Sequence, residues 1–365
     1  MAKEFSLSIY PWVYLSKFAN HSWNQKYIEK PHLTPIEEEK LSFTERQVLF
    51  QERNKFPELP LVNYSTQYAM SVFEGLKAFP QPNGSLKLFR PNENAKRMQR
   101  SMEGLYMPSV PVEQFVSAVK GVVAKNQNLG FAPKYNSTWE SDDFTSGHSV
   151  YIRPFSYTES GIGINLSKEP WFVIISTQVG SYFSTGTTSP ITTTVRARAT
   201  SGGTGWIKCS ANYVTSVLAK TEAESEGYME CIFLDAKSQT YVEEGSSCNL
   251  FFVLKNGNLV TPQLSDTILP GITRQTVIEI AIEQGITVEE RLITIEEVMA
   301  DGVEAFGTGT AAGITHFSSI NHKGNQKKLG AGQIGPISKN LLNILKGIQY
   351  GAKEDYHNWM TPVND

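Results

Sequence analysis

The chain is short of cysteine, of long apolar runs and of net charge, and each shortage excludes something. Its three cysteines, Cys209, Cys231 and Cys248, form no Cys-x-x-Cys pair and are odd in number. A disulfide framework is therefore not expected, and the thiols read as reduced groups of a cytoplasmic protein. No apolar stretch approaches the ~20 residues that a membrane span needs. Pro11, Ser16 and Lys17 break the N-terminal run, so no secretory leader is read there. The formal net charge is -3, so no basic field calls for nucleic acid or an anionic membrane. What is present is ordinary for a globular protein, with 40% hydrophobic and 19% charged residues. A chain of 365 residues suggests two domains, each able to bury its own core.

Periodicity and turn residues give a coarse order of elements. Residues 1–60 are polar, with an acidic run Glu37-Glu38-Glu39, and read as short strands and loops. Gly75 to Phe79 is strand-like, and Pro82-Asn83-Gly84 turns it back into Ser85–Phe89 as a hairpin. Arg90-Pro91 opens a helix whose Met98, Met102 and Leu105 form a core stripe, with Arg97 one position off it. A second helix runs from Val112 to about Gln127. Ser149–Pro154 reads as a strand with Tyr151 and Arg153 on one face, and Trp171–Thr177 as another. The Ser/Thr/Gly-rich stretch after it is read as a linker. This divides the chain into a small N-terminal α/β domain, 1–180, a linker, 181–191, and a larger domain, 192–365. In the second half a helix is expected from Asn212, and Asn256-Gly257 reads as a type I′ hairpin turn. Pro270-Gly271-Ile272-Thr273 enters a helix, Thr294-Ile-Glu-Glu297 is a capping box, and a last helix begins near Ile337.

The chemistry-bearing residues fall mostly in that second half. A glycine-rich run, Gly202-Gly203-Thr204-Gly205, leads to Lys208 just before a helix, a setting for a mobile amine nucleophile. It is not a phosphate-binding P-loop, because Ile207 rather than glycine precedes the lysine. The turn Gly271-Ile272-Thr273 and the small-residue turn Gly307-Thr-Gly-Thr310-Ala311 both offer amides and hydroxyls to an anion. Gly307-x-Gly309-x-x-Ala312 also fits a loosened dinucleotide fingerprint. No Asp or Glu lies between Glu304 and Glu354, however, so the acidic ribose partner is missing. Glu243-Glu244 ends a strand, and only one of the two can face a given site. Two anion cradles, an amine and a carboxylate suit a phosphorylated pyridine aldehyde, pyridoxal phosphate, whose ring nitrogen needs a carboxylate to stay protonated.

Taken together, the stretches Phe73-Glu-Gly-Leu-Lys-Ala-Phe, Leu88-Phe-Arg-Pro-Asn, Tyr151-Ile-Arg-Pro, Gly202 to Tyr213, Glu244-Gly-Ser-Ser-Cys-Asn-Leu-Phe, Ile268-Leu-Pro-Gly-Ile-Thr-Arg and Phe306-Gly-Thr-Gly-Thr-Ala carry a family resemblance. The chain resembles the branched-chain amino acid aminotransferases of the fold type IV pyridoxal phosphate enzymes over roughly residues 60–362. The resemblance implies an α+β protein of two α/β domains with the cofactor at their interface. It implies transfer of the amino group of L-leucine, L-isoleucine or L-valine to 2-oxoglutarate through a Schiff base on Lys208. D-amino acid and R-selective amine aminotransferases of the same fold are the alternative, and a non-catalytic pyridoxal phosphate-binding protein is the remote one.

Residue by residue, Lys208 resembles the Schiff-base lysine, Tyr213 the tyrosine at the ring hydroxyl oxygen, and Glu244 the carboxylate of the ring nitrogen. Arg97, Ile272, Thr273 and Thr310 resemble the phosphate anchors, with Arg198 a further candidate. Tyr68, Phe73, Tyr151, Tyr182 and Ser247 resemble the substrate pocket, and Arg153, Thr310 and Ala311 the groups around the substrate carboxylate. Ile162 and Ile164 resemble a loop that completes a partner subunit's pocket, which implies a homodimer. Ala312 and Thr315 stand where some animal members carry a cysteine pair, so no thiol–disulfide control is expected there.

Overall fold

The computed structural model describes residues 8–180 and 189–364. Tyr182 and most of the expected linker lie outside the described residues. The chain divides into two compact units. The first contains the described residues up to 180, the short piece Lys208–Ala211, and the end of the chain from Ile348. The second runs through the rest, up to Gly347.

The first unit opens with two antiparallel strands, β1 (Trp12–Ala19) and β2 (Ser22–Glu29), where the sequence alone suggests only short strands and loops. Two helices follow, α1 (Pro35–Lys40) and α2 (Phe43–Arg53). Each is started by a complete capping box, Thr34 with Glu37 and Ser42 with Glu45, in which hydroxyl and carboxylate satisfy each other's backbone amides. Arg53, only 3% exposed, ties α2 down by donating to the Ile9 and Pro31 carbonyls and pairing with Glu38.

After the short α3 (Tyr64–Tyr68), β3 (Leu76–Pro80) and β4 (Leu86–Phe89) form the expected hairpin. Helix α4 (Pro91–Gly104) buries Met98 and Met102 as expected. Helix α5 (Val112–Asn128) lays Phe115, Val119 and Val122 inward, with the Phe115 ring 5.7 Å from Phe172. Strands β5 (Ser149–Tyr157) and β6 (Trp171–Val179) complete an antiparallel sheet in the order β4-β3-β5-β6-β1-β2.

The outer side of β4 carries the last strand of the chain, Met360–Pro362. The sequence alone places 192–365 in one domain. The structure corrects this, because β4 takes its outer hydrogen bonds from the C-terminal end.

In the second unit, β7 (Pro190–Thr193) precedes α6 (Asn212–Ser225). Then come β8 (Glu230–Leu234), β9 (Val242–Gly245), β10 (Asn249–Leu254) and β11 (Leu259–Pro262), paired in sequence as antiparallel neighbours. The β10–β11 turn is not type I′. Gly257 takes the left-handed region (φ 86) but Asn256 does not, so the turn is the longer kind that needs one left-handed residue.

Helix α7 (Ile272–Glu283) starts at Gly271 as expected, and β12 (Val288–Arg291) pairs in parallel with β11. Helix α8 (Ile295–Asp301) shows half of its predicted box. Thr294 caps the Glu297 amide, while the Glu297 carboxylate turns to Arg291. Strand β13 (Gly302–Gly309) pairs with β10 and stacks Phe306 on Phe251, centroids 5.1 Å apart. It turns back into β14 (Gly313–His316), followed by β15 (Ser319–His322), β16 (Asn325–Lys328) and α9 (Pro336–Gln349). No described helix is long and apolar enough to cross a membrane.

The core of this unit is a cluster of buried apolar side chains from its strands, α8 and the loop before α8, among them Ile232, Val242, Phe252, Val260, Ile293 and Ile320. Truncating one of the largest leaves a cavity in a close-packed interior. Phe252→Ala is therefore expected to cost about 3–5 kcal/mol in urea-induced unfolding.

Candidate active site

In the first unit the sequence-predicted residues converge. The glycine-rich run suggests a loose loop around Lys208. Instead its backbone is pinned. Its carbonyl accepts from the Phe73 amide (3.1 Å), Ser210 donates to the Ser71 carbonyl (2.9 Å), and Val72 and Cys209 form a bridge between the two. The Lys208 amide donates to the Ser101 hydroxyl of α4 at 3.1 Å. Three hydrogen bonds, two of them making the Val72–Cys209 bridge, thus fix the backbone at Lys208. Lys208 Nζ lies 4.8 Å from the centroid of the Phe73 ring.

The residue after Phe73 is one that sequence reasoning misses. Glu74 is completely buried. Its carboxylate accepts from Arg97 Nε (2.7 Å) and Nη2 (2.9 Å) and from Asn94 Nδ2 (2.8 Å). Burial works against its ionisation, but the charge and hydrogen bonds of Arg97 outweigh this, with Lys208 and Asn94 adding, and hold its carboxyl below the usual range. Arg97, itself 5% exposed, is thereby oriented at one turn's distance from Ser101 on α4. The available signal is a single carboxylate inside a strand-like apolar run, Val72-Phe-Glu-Gly-Leu.

Tyr151 and Arg153 do share a face of β5. Arg153 Nη2 donates to the Tyr151 hydroxyl at 2.7 Å, and its guanidinium lies 4.8 Å from the Phe73 centroid. Arg153 Nε is buried and finds no hydrogen-bond partner among the described residues, so this wall offers a donor to an incoming acceptor. Gly75 explains how close the wall is packed. A Cβ there would overlap the Tyr151 hydroxyl oxygen. Tyr68 lies at the end of α3 and is 40% exposed, and Ile162 and Ile164 are among the most exposed apolar residues.

The second unit assembles the other predicted residues around Glu244, on β9. Its carboxylate is paired with Arg198 and accepts from the Leu269 amide (3.2 Å) and Asn249 Nδ2 (3.2 Å). Arg198, expected among phosphate anchors, is thus a partner of the carboxylate, and also donates to the Gly205 carbonyl at 2.8 Å. The glycine-rich run is held by the loop between β11 and α7. Asp266 accepts from the Gly202 amide (2.6 Å) and the Ser201 hydroxyl (3.0 Å), and a Cβ on Gly205 would strike the Thr267 carbonyl at 2.6 Å. Tyr213 is half-buried in the first turn of α6, beside Asn212, whose amide caps the Thr204 and Ile207 carbonyls.

Ile272 and Thr273 open α7, whose N-cap Gly271 supplies no side-chain hydrogen bond to the helix amides. A Cβ on Gly271 would overlap Asn249 Oδ1, so only glycine lets the helix start against Asn249, the same residue that touches Glu244. Thr310 and Ala311 form the turn between β13 and β14, and Ser247 is exposed at the turn after β9. Uncapped amides of a 12-residue helix, a threonine at its start and a hydroxyl-bearing turn form an anion cradle. With the buried Glu244, they fit a phosphorylated pyridine.

Comparisons with known proteins agree with this chemistry. A family model described as amino-transferase class IV matches residues 71–320. The chain is 40% identical over 301 residues to branched-chain-amino-acid aminotransferase 5, chloroplastic, of Arabidopsis thaliana, covering 81% of this chain and 69% of that one. It is 39% identical over 305 residues to branched-chain-amino-acid transaminase 1 of Bacillus subtilis (strain 168), covering 81% and 82%. Among solved structures, the branched-chain amino acid aminotransferase of Thermobaculum terrenum in its PLP form matches with a TM-score of 0.71 at 27% identity, covering 98% of this chain and 99% of that one. The Escherichia coli enzyme matches at 0.73 and 25% identity, covering 98% and 100%. The chain therefore belongs to the class IV aminotransferases of fold type IV, and within them to the branched-chain amino acid aminotransferases, which are pyridoxal phosphate-dependent transaminases.

Gly75→Ala is expected to push the Tyr151 hydroxyl out of place. A displacement of about 1 Å in a positioned site costs on the order of 100-fold, so kcat/KM for L-leucine should fall by one to two orders of magnitude. Steady-state kinetics alongside an unchanged circular dichroism spectrum would check this.

Proposed function

We propose that the chain moves the amino group of L-leucine, L-isoleucine or L-valine to 2-oxoglutarate, with Lys208 as the amine that holds the cofactor covalently and moves the substrate proton. What carries this reading is the first-unit wall. A fixed lysine, an aromatic face and a guanidinium with an unpartnered buried donor stand together at Phe73, Tyr151, Arg153 and Lys208. An apolar amino acid matches it: the side chain meets the aromatic rings and the carboxylate meets Arg153.

Pyridoxal phosphate, when bound, supplies an aldehyde that links to amines and a ring that withdraws electrons from the α-carbon. Arg97, the Ile272 and Thr273 amides at the head of α7, and Thr310 would hold its phosphate. Tyr213 would donate to the ring hydroxyl oxygen, and Glu244 would keep the proton on the ring nitrogen. Arg153, with the Thr310–Ala311 turn, would orient the substrate carboxylate so that the α-hydrogen faces Lys208. Lys208 Nζ would be the base that takes that proton. Phe73, Tyr151, Tyr68 and Ser247 would line the side-chain pocket. An apolar pocket separates leucine, isoleucine and valine weakly, since one methylene is worth about 1–3 kcal/mol. A homodimer in which Ile162 and Ile164 reach the partner's pocket accounts for two apolar side chains 74% and 89% exposed.

Mixing the purified holoprotein with L-leucine alone should bleach the visible absorption to that of the pyridoxamine form, and 2-oxoglutarate should restore it. A response to D-leucine or an R-amine instead would favour the related activities. Lys208→Ala should lower turnover by at least about 10²–10⁴-fold and abolish the borohydride-reducible link. An adduct mapping to another lysine would sink the assignment. Glu244→Gln should lower turnover by about 10²–10³-fold, the scale of a lost transition-state electrostatic partner, with modest loss of cofactor on dialysis.

A further inference from the structure

Two adjacent glutamates on one strand point to opposite faces, yet here both are buried, Glu243 at 8% and Glu244 at 4% exposure. The reason is the loop between β11 and α7, which wraps β9 and touches both. Thr267 Oγ1 donates to Glu243 Oε1 at 2.7 Å, while two residues on the Leu269 amide donates to Glu244 Oε1 at 3.2 Å. The Thr267 carbonyl in turn accepts from Arg198 Nη2 at 3.3 Å, and Arg198 is paired with Glu244. Two buried polar atoms in this cluster find no partner among the described residues, Glu243 Oε2 and Arg198 Nε. Arg198 keeps its charge throughout, so of these two atoms only the Glu243 oxygen can take up or release a proton.

We propose that Glu243 is a positioning residue of the reaction. It shares the Thr267 loop with Glu244, a loop that also holds Arg198, and, by holding or losing a proton, sets the charge behind the Glu244 carboxylate. The inference rests on reading Glu244 as the partner of the ring nitrogen. The groups that face Glu243 decide its proton. Burial raises its pKa, the Thr267 hydrogen bond lowers it, and the neighbouring Glu244 raises it again. Arg198 lowers it and Asp235, at the end of β8, raises it, leaving the carboxyl at about 7. Asp235 stays ionised. Burial works against its charge, but the amides of Thr240, Ser238 and Tyr241 together outweigh this and hold it down to about 2. Asp266 on the same loop is engaged by Gly202 and Ser201. Below neutrality Arg198 thus answers one carboxylate. Above it Glu243 adds a second negative charge in the field of Arg198, and the more negative surroundings let Glu244 retain the ring proton more firmly.

The test compares wild-type holoenzyme with Glu243→Gln, which keeps the shape and the Thr267 hydrogen bond but cannot ionise. The ratio of variant to wild-type kcat with L-leucine should be near one at pH 5.5 and fall several-fold by pH 8.5. A second readout does not depend on turnover. The folded carboxyl releases its proton at higher pH than the unfolded one, so its contribution to wild-type stability is lost as pH rises from 4.5 through about 7. Glu243→Gln should therefore melt several degrees higher than wild type at pH 8 and at the same temperature near pH 4.5. Thr267→Val removes a contact that favours the anion, and should move the inflection in kcat to higher pH. A ratio that is flat with pH, or a variant less stable than wild type at pH 8, overturns the proposal. Glu243→Gln inactive at every pH with Glu244→Gln active would instead overturn the reading of Glu244, because the ring-facing carboxylate would then be Glu243.

Discussion

A carboxylate cannot remain charged in a protein interior without partners, and the first unit is arranged around one that does. Glu74 is completely buried and remains ionised because Arg97 donates to both of its oxygens and Asn94 makes a second bond to Oε2. Helix α4 must therefore dock against the segment before β3 in one register. That register places Ser101, one turn beyond Arg97, under the Lys208 amide. The same segment supplies the backbone partners of Lys208 and Ser210 through Phe73 and Ser71. One buried ion pair thus fixes the helix, the strand entry and the reactive amine relative to each other. Such pairs add little net stability over an apolar replacement. Here the gain is positional, since a guanidinium held at Nε and Nη2 has a defined plane.

How the sequence encodes this is uneven. Elements with strong local signals are legible. The β3–β4 hairpin, α4, α5 and the start of α7 follow from turn residues and from apolar spacing that tertiary packing does not override. Residues 12–53 are not, because β2 is largely exposed and α1 buries nothing, so neither shows a clean hydrophobic period. The capping boxes at Thr34 and Ser42 are present as Ser/Thr-x-x-Glu patterns and are the signals that would find both helices. Asn256-Gly257 has the look of a two-residue turn, but only Gly257 needs the left-handed region.

The candidate site divides the same way. Residue types and turn patterns point to Lys208, to one of Glu243 and Glu244, and to the α7 entry, and the family resemblance is what selects Glu244. Their partners do not show, since Glu74, Asn94, Ser101, Thr267 and Asp266 act through long-range contacts that no local pattern carries. Arg198 reads in sequence as a phosphate group's neighbour and is in the structure a carboxylate's. The glycines before Lys208, which suggest looseness, are equally well explained by crowding, because Gly205 leaves no room for a side chain under Thr267.

The strand Met360–Pro362, paired to β4 at Met360 opposite Phe89, has a consequence for how the protein is made. Nearly three quarters of the chain must be synthesised between those two residues. At ribosomal speeds of roughly 5–20 residues per second that interval is on the order of tens of seconds. Throughout it, β4 emerges as a sheet edge whose outward amides and carbonyls await a partner still to be made. Such an edge is a template for pairing with other nascent chains. The first unit is thus first to be translated and last to be closed, and overproduction that crowds ribosomes on one message would expose this edge most.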